Sequence, residues 1–162
     1  MDSDLIKKSD YVISILDNNN IPFEVYEHEP VYSYEDAEKI KNEFGFCGTE
    51  SKSLFLKGKL GYYIYLTIQG VNADFKYVKS LVADKVSVCP SSEMTKVIKC
   101  CPGCVSPFGH DEEISLIIDP IIFNQENIIF SPGVPNKTIV IKGNDLKKII
   151  NNISNRKYFV ER

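Results

Sequence analysis

Hydrophobic positions in this chain change period several times, and each change marks an element. Leu5, Val12, Ile13 and Leu16 recur at near-helical spacing, and the run stops at Asn18-Asn19-Asn20, so an amphipathic helix opens the chain. Residues 23–27 alternate and read as a short strand. Ser33 with Asp36 approximates a capping box, which starts a second helix that runs to about Phe44 and ends at Gly45. Leu54-Phe55-Leu56 and residues 62–68 form the two strands of a hairpin turned through 57–61. Helical spacing returns at Phe75, Val78 and Leu81. Val86-Ser87-Val88 is a short strand, and Ser92 is expected to cap a helix carrying Met94, Val97 and Ile98. Strands are next expected at 114–118, 128–130 and 138–141. Asn144 or Asp145 then opens a last helix through Ile153, leaving 151–155 as a polar end. Strands and helices interleave without the regular alternation of a doubly wound sheet. The expected class is α+β, a mixed, partly closed β-sheet surrounded by helices. No repeat or linker interrupts the pattern, so residues 1–162 are expected to form a single domain.

Composition narrows the setting. A hydrophobic content of 43% with 25% charged residues belongs to an ordinary globular chain. The apolar runs are too short to span a bilayer, and no membrane partner is expected. The acidic start Met1-Asp2-Ser3-Asp4 lacks the basic region of a signal peptide. Five cysteines, an odd number, then point to reduced thiols and a cytoplasmic location. Cys101-Pro102-Gly103-Cys104 has C-x-x-C spacing, but His28 and His110 are the only histidines and no second pair completes a zinc site. Pro107 and Gly109 oppose the helix a redox dithiol would want after its first cysteine. Neither a metal nor a cofactor is therefore expected. With a net charge of -3, any nucleic-acid partner must be gripped by local lysines, since arginine occurs only at Arg156 and Arg162.

Two stretches carry candidate chemistry. Residues 100–109 are too rich in Pro and Gly for a helix or an ordinary strand. Pro102-Gly103 has the chemistry of a turn that needs φ > 0, and Pro107 stiffens the second half of the loop. Such a loop lets backbone amides approach an anion or a developing oxyanion. Ser51-Lys52-Ser53-Leu54-Phe55-Leu56 places an ammonium at the start of an apolar strand, where it must find an anion or water. Cys104 lacks an identifiable base, so its thiol is expected to pack or line a pocket rather than attack. Ser106 and Ser131 are expected to donate hydrogen bonds, and His28 to sit at a site mouth. His110, just after the loop, is expected at the surface. Lys57 and Lys59, in the hairpin turn, are candidates for contacts to a nucleic-acid backbone.

Ile21-Pro22-Phe23-Glu24-Val25, His28-Glu29-Pro30-Val31-Tyr32-Ser33, the Lys52 stretch and the 102–109 loop, in that order, resemble the YbaK/ProX family. These are free-standing relatives of the editing domain inserted in bacterial prolyl-tRNA synthetases. The resemblance runs from about Ile15 to Ile150. It implies a mixed sheet wrapped by helices, and deacylation of mischarged tRNA(Pro), with alanyl-tRNA(Pro) the first expectation. The family lysine maps onto Lys52, and its Gly-x-x-x-Pro loop onto Gly103 and Pro107; these three are the expected catalytic residues. His28, Cys104, Val105, Ser106, Phe108, Gly109, Ser131 and Gly133 are the expected substrate-binding set.

One position departs from the ProX pattern. ProX-type members carry a His-Pro pair near the last strand, where this chain has Ser131-Pro132. Ser131-Pro132-Gly133 is closer to the YbaK pattern, which is associated with cysteinyl-tRNA(Pro). The alternatives are thus a cysteinyl-tRNA(Pro) deacylase, or a catalytically weakened module that binds tRNA or synthetase. The expected partners are the acceptor end of tRNA(Pro) and, through the family, prolyl-tRNA synthetase.

Overall fold

The computed structural model describes residues 2–161. In chain order its elements are α1 (Ser3–Asn18), β1 (Glu24–Glu27), α2 (Tyr34–Phe44), β2 (Thr49–Lys57), β3 (Tyr62–Ile68), α3 (Phe75–Val82), β4 (Ser87–Val88) and α4 (Ser91–Ile98). Then come β5 (Ser115–Ile118), a 3-10 turn (Pro120–Asn124), β6 (Asn127–Phe130), β7 (Lys137–Lys142), α5 (Gly143–Asn152) and β8 (Lys157–Phe159). The strands form a mixed sheet in the order β1-β7-β6-β2-β3-β5-β8, with β4 also paired to β2. The expected α+β class holds, and the hydrogen-bonded path runs open from β1 to β8. None of the described helices is long and apolar enough to cross a membrane.

Alternation along the strands sorts the core into layers. Phe55, Ile64, Leu66, Leu116, Ile118, Ile128, Phe130, Ile139 and Ile141 share one cluster with Val12 and Leu16 of α1, Met94 and Ile98 of α4, and Leu146 and Ile149 of α5. The intervening positions belong to the opposite face. There Leu56, Tyr63, Tyr65 and Ile117 pack with Val78 and Val82 of α3. Ile129 and Val140 pack with Ile40 of α2 and with Phe46. So α3 covers the β2–β3–β5 half of that face and α2 the β6–β7 half, and the seam between β2 and β6 lies between them.

Local signals set most boundaries. The Ser33 hydroxyl accepts the Asp36 amide, and Gly45 closes α2 in the left-handed conformation at φ 73. Other expectations need correction. Ser92 is not a cap: Pro90 occupies the N-cap of α4 and no side chain caps it. The last helix opens at Gly143, again without a side-chain cap. Lys52 does not start its strand, because β2 begins at Thr49. The supposed polar end is also structural. Asn155 is buried, its amide donates to the carbonyls of Asp111 and Ile114, and the following β8 pairs in parallel with β5.

The β2–β3 hairpin turn is held from outside. The Asp84 carboxylate accepts the amides of Lys59 and Leu60 at 3.0 Å and the Tyr63 hydroxyl at 2.8 Å. Burial pushes this carboxyl up, but the Leu60 amide, the Tyr63 hydroxyl and the Lys59 amide outweigh it and keep the pKa below the usual value. Asp84→Ala should therefore cost about 3 kcal/mol, since it orphans donors that share one charged acceptor. Urea unfolding checks this, and a loss below about 1 kcal/mol would mean that the turn is held by something else.

Candidate active site

Strands β2 and β6 run parallel but pair only through Thr49 with Ile128 and Glu50 with Ile129. Beyond that, β6 ends at Phe130 and its chain turns away, while β2 continues to Lys57. The next strand on that edge of β2 is β4, which pairs at Leu56 and Lys57. Between them, that edge of β2 has no strand beside it from Ser51 to Leu54 among the described residues, while β3 pairs with the other edge throughout. A cavity of about 510 Å³ fills the gap, a size that suits a small-molecule or nucleotide-sized ligand. It is walled by residues 50–55 of β2, by Pro102–Val105, by the turn after β6, and by Tyr32, Ser33 and Tyr34 at the start of α2.

Lys52 enters this cavity from the fourth position of β2. Its ammonium donates to the Val71 carbonyl at 3.2 Å. None of the ion pairs among the described residues includes it. An ammonium bonded to one neutral acceptor retains donors for an anionic or polar ligand group.

The facing loop is stapled in two places. The Cys104 amide donates to the Cys101 carbonyl at 2.9 Å across Pro102-Gly103, with Gly103 at φ 80. A Cβ at Gly103 would meet nothing within 4 Å, so the glycine is required by backbone conformation rather than by crowding. The Cys101 amide then donates to the Gly133 carbonyl at 2.8 Å, which ties the loop to the turn after β6. Behind these, Ser106 and Phe108 are buried. The Ser106 hydroxyl donates to the Phe108 carbonyl, and the Phe108 ring meets Phe130 edge-on at 5.6 Å. His110 Nε2 lies 2.7 Å from the Ser106 carbonyl, and its Nδ1 lies 2.9 Å from Lys8 Nζ. A carbonyl only accepts and an ammonium only donates, so the proton sits on Nε2. Burial, and secondarily the Lys8 charge, bring the imidazole pKa down to about 3. His110 is thus a neutral pin beneath the loop and not the surface residue its sequence position suggested.

Residues 28–149 match the family described as Aminoacyl-tRNA editing domain. The chain belongs to that family. It is 31% identical over 146 residues to the prolyl-tRNA editing protein ProX of Acetoanaerobium sticklandii, covering 86% of this chain and 88% of that protein. It is 24% identical over 144 residues to the multifunctional Ser/Thr-tRNA deacylase ProXp-y of Escherichia coli K12, covering 85% of each. Its fold superposes with a TM-score of 0.75 on the crystal structure of a candidate trans-editing enzyme for prolyl tRNA synthetase. That match has 17% identity and covers 96% of this chain and 97% of the other.

Within the editing domain, the cavity divides the residues singled out from sequence. Lys52, Gly103, Cys104, Val105 and Ser131 border it. Pro107, Ser106 and Phe108 do not; they are buried under the loop as its anchor. Gly109 lies against α1, where an added Cβ would come within 3.0 Å of Val12. Gly133 sits behind the loop, and a Cβ there would press on Cys100 at 3.3 Å. His28 stands one residue back, its Nε2 2.7 Å from the hydroxyl of Thr138, which does line the cavity. Burial raises the Cys104 thiol to about 12, so it is protonated at neutral pH and no nucleophile. The Ser131 hydroxyl donates to the Val134 carbonyl and accepts the Gly133 amide, so its proton is used inside its own turn. Lys57 pairs with Glu93 at 2.8 Å. The five cysteines are free, and no cluster among the described residues could hold a metal ion.

Sequence reasoning missed Glu50 and Ser53, both of which line the cavity. Glu50 stands two residues before Lys52, a spacing that puts both on one face of a strand. The signal was present, but it becomes readable only once β2 is known to start at Thr49. The Ser53 hydroxyl is buried and has no hydrogen-bond partner among the described residues. An unpaired buried hydroxyl is a cost that a ligand would relieve. Ser53→Ala should accordingly leave the empty protein at least as stable as wild type, and up to about 1 kcal/mol more so. A loss above about 2 kcal/mol on denaturant unfolding would reveal an internal partner for that hydroxyl.

Proposed function

We propose that this editing domain is a free-standing deacylase that cuts the ester of mischarged tRNA(Pro), with alanyl-tRNA(Pro) as its principal substrate. The observation that carries the reading is that Lys52 and the Pro102-Gly103 turn border one cavity. The loop's amides are unevenly committed. Those of Cys101 and Cys104 are spent on Gly133 and Cys101, and that of Ser106 on the Cys100 sulfur. Pro102 and Pro107 have none. The Gly103 and Val105 amides remain as donors for an oxyanion.

In this reading the terminal adenosine enters the gap beside β2, and Lys52 holds its phosphate or ribose oxygens. Tyr32, 73% exposed at the mouth, offers a ring face to the adenine. Water adds to the ester carbonyl, and the Gly103 and Val105 amides stabilise the oxyanion by roughly 3–4 kcal/mol per donor. The bond from the carbonyl carbon to the ribose oxygen then breaks. That oxygen takes a proton, and free amino acid leaves uncharged tRNA behind. An aminoacyl ester is already reactive, so no side-chain nucleophile is required, and the protonated Cys104 supplies none. The task follows from the limits of a prolyl site: one methylene is worth only about 1–3 kcal/mol of discrimination, so smaller amino acids slip through and need a second, hydrolytic pocket. The partners are then the acceptor end of tRNA and the synthetase that makes the error, in the cytoplasm where tRNA is charged.

Ser131 favours a second reading, removal of cysteine. The relative named for Ser/Thr-tRNA adds seryl and threonyl esters to the set worth assaying. Incubating the protein with tRNA(Pro) charged with alanine or cysteine, with seryl- and threonyl-tRNA, and with correct prolyl-tRNA(Pro) tests all of them. Alanyl-tRNA(Pro) should be cleaved fastest and prolyl-tRNA(Pro) spared. Lys52→Ala should slow cleavage about 100-fold, the scale of a lost positioning contact. If no mischarged species is hydrolysed faster than in buffer, the deacylase reading fails, and tRNA binding without turnover would leave a binding module in its place.

A further inference from the structure

Glu50 is the one carboxylate among the residues lining the cavity. It shares the β2 face with Lys52, and its register partner Ile129 packs with Ile40 and Phe46 beneath α2. The charged and titratable groups around it are Lys41, Glu38 and Tyr34 of α2, Lys52 of its own strand, and Lys137 of β7, which lines the same cavity and lies 3.9 Å from Glu27. None of them makes a hydrogen bond or ion pair with it among the described residues. Lys41 is engaged elsewhere, donating to the Gly48 carbonyl at 3.0 Å and lying 3.9 Å from Glu38. Lys41 therefore acts on Glu50 only through space, drawing its pKa down against burial. A carboxylate in a ligand cavity with no hydrogen-bonded or ion-paired partner calls for a cationic or donating group from the ligand. An aminoacyl ester brings such a group, the α-ammonium next to the scissile carbonyl.

We propose that Glu50 receives the free α-ammonium of the aminoacyl ester, so that the site accepts aminoacyl esters and turns away esters whose amine is absent or acylated. This rests on the deacylase reading above and deepens it. It gives the two ends of the substrate different anchors on one strand, with Lys52 for the nucleotide and Glu50 for the amino acid. The scissile bond then falls between them, towards the Gly103 and Val105 amides. Burial lifts the Glu50 carboxyl to about 7, so in the empty protein the acid form is favoured at mildly acidic pH. A bound ammonium would draw it back to the ionised form.

The test uses two non-hydrolysable probes, 3′-amide-linked alanyl-adenosine and the propionyl analogue that lacks only the α-amine, titrated calorimetrically into the protein. Wild type should prefer the alanyl probe by about ten-fold or more, the scale of one charge-assisted hydrogen bond. The near-isosteric Glu50→Gln should abolish the preference by weakening the alanyl probe alone. In wild type the preference should also grow between about pH 5.5 and about pH 7.5 as the carboxyl ionises, a readout that needs no variant. An equal preference in wild type and Glu50→Gln, or none in wild type, overturns the role of Glu50 while leaving the deacylase reading intact. A wild type that binds neither probe and deacylates nothing overturns both.

Discussion

The two-residue parallel register between β2 and β6 is the constraint that creates the site. Had the strands stayed paired, the edge of β2 from Ser51 to Leu54 would be consumed by a neighbour, and its side chains would be core. Because β6 ends at Phe130, both faces of β2 contribute to one cavity. Glu50 and Lys52 come from the α2–α3 face, and Ser51 and Ser53 from the face that carries Phe55 into the main core. The helices respect the same seam, α2 covering one side and α3 the other. Polar groups therefore reach the middle of the sheet without being sealed into it.

An opening of this kind would collapse without a stiff opposite wall, and the loop after α4 provides one. Its two halves have separate duties. The outer half, Pro102–Val105, meets the cavity and keeps two amides uncommitted. The inner half, Ser106–Phe108, is sunk in the core and held by the Ser106–Phe108 bond, the Phe108–Phe130 ring contact and the neutral, half-buried imidazole of His110 between Ser106 and Lys8. The Cys101–Gly133 bond then fixes the loop to the turn after β6. In the proposed reaction, donors held in place before substrate arrives need no reorganisation, which is where most of the catalytic effect of an oxyanion site resides.

Legibility in the sequence depends on the range of each signal. Ser33, Gly45 and Pro102-Gly103 were legible because caps and turns depend on residues a few positions apart. Lys52 and the loop were legible as a pair only through the ordered resemblance of four motifs; nothing in their spacing says that they share a cavity. The start of β2 at Thr49 was hidden because Glu50 and Lys52 break its apolar pattern, and they break it because they line a site. β8 was hidden because three residues of parallel pairing with β5 leave no local mark. Which half of the loop would face the cavity was equally unreadable, since Ser106 and Cys104 are similar in size and polarity and differ only in what distant elements place beside them. His110 was misjudged for the same reason: its partner Lys8 lies 102 positions away.

The central claim is that the gap between β2 and β6 holds the aminoacylated end of the tRNA. The most direct test is an amide NMR titration of the labelled protein with 3′-amide-linked alanyl-adenosine. The account predicts that the largest shifts fall on residues 51–55 and on Gly103 and Val105. Shifts confined to other surfaces, with both segments unmoved at saturation, would contradict it.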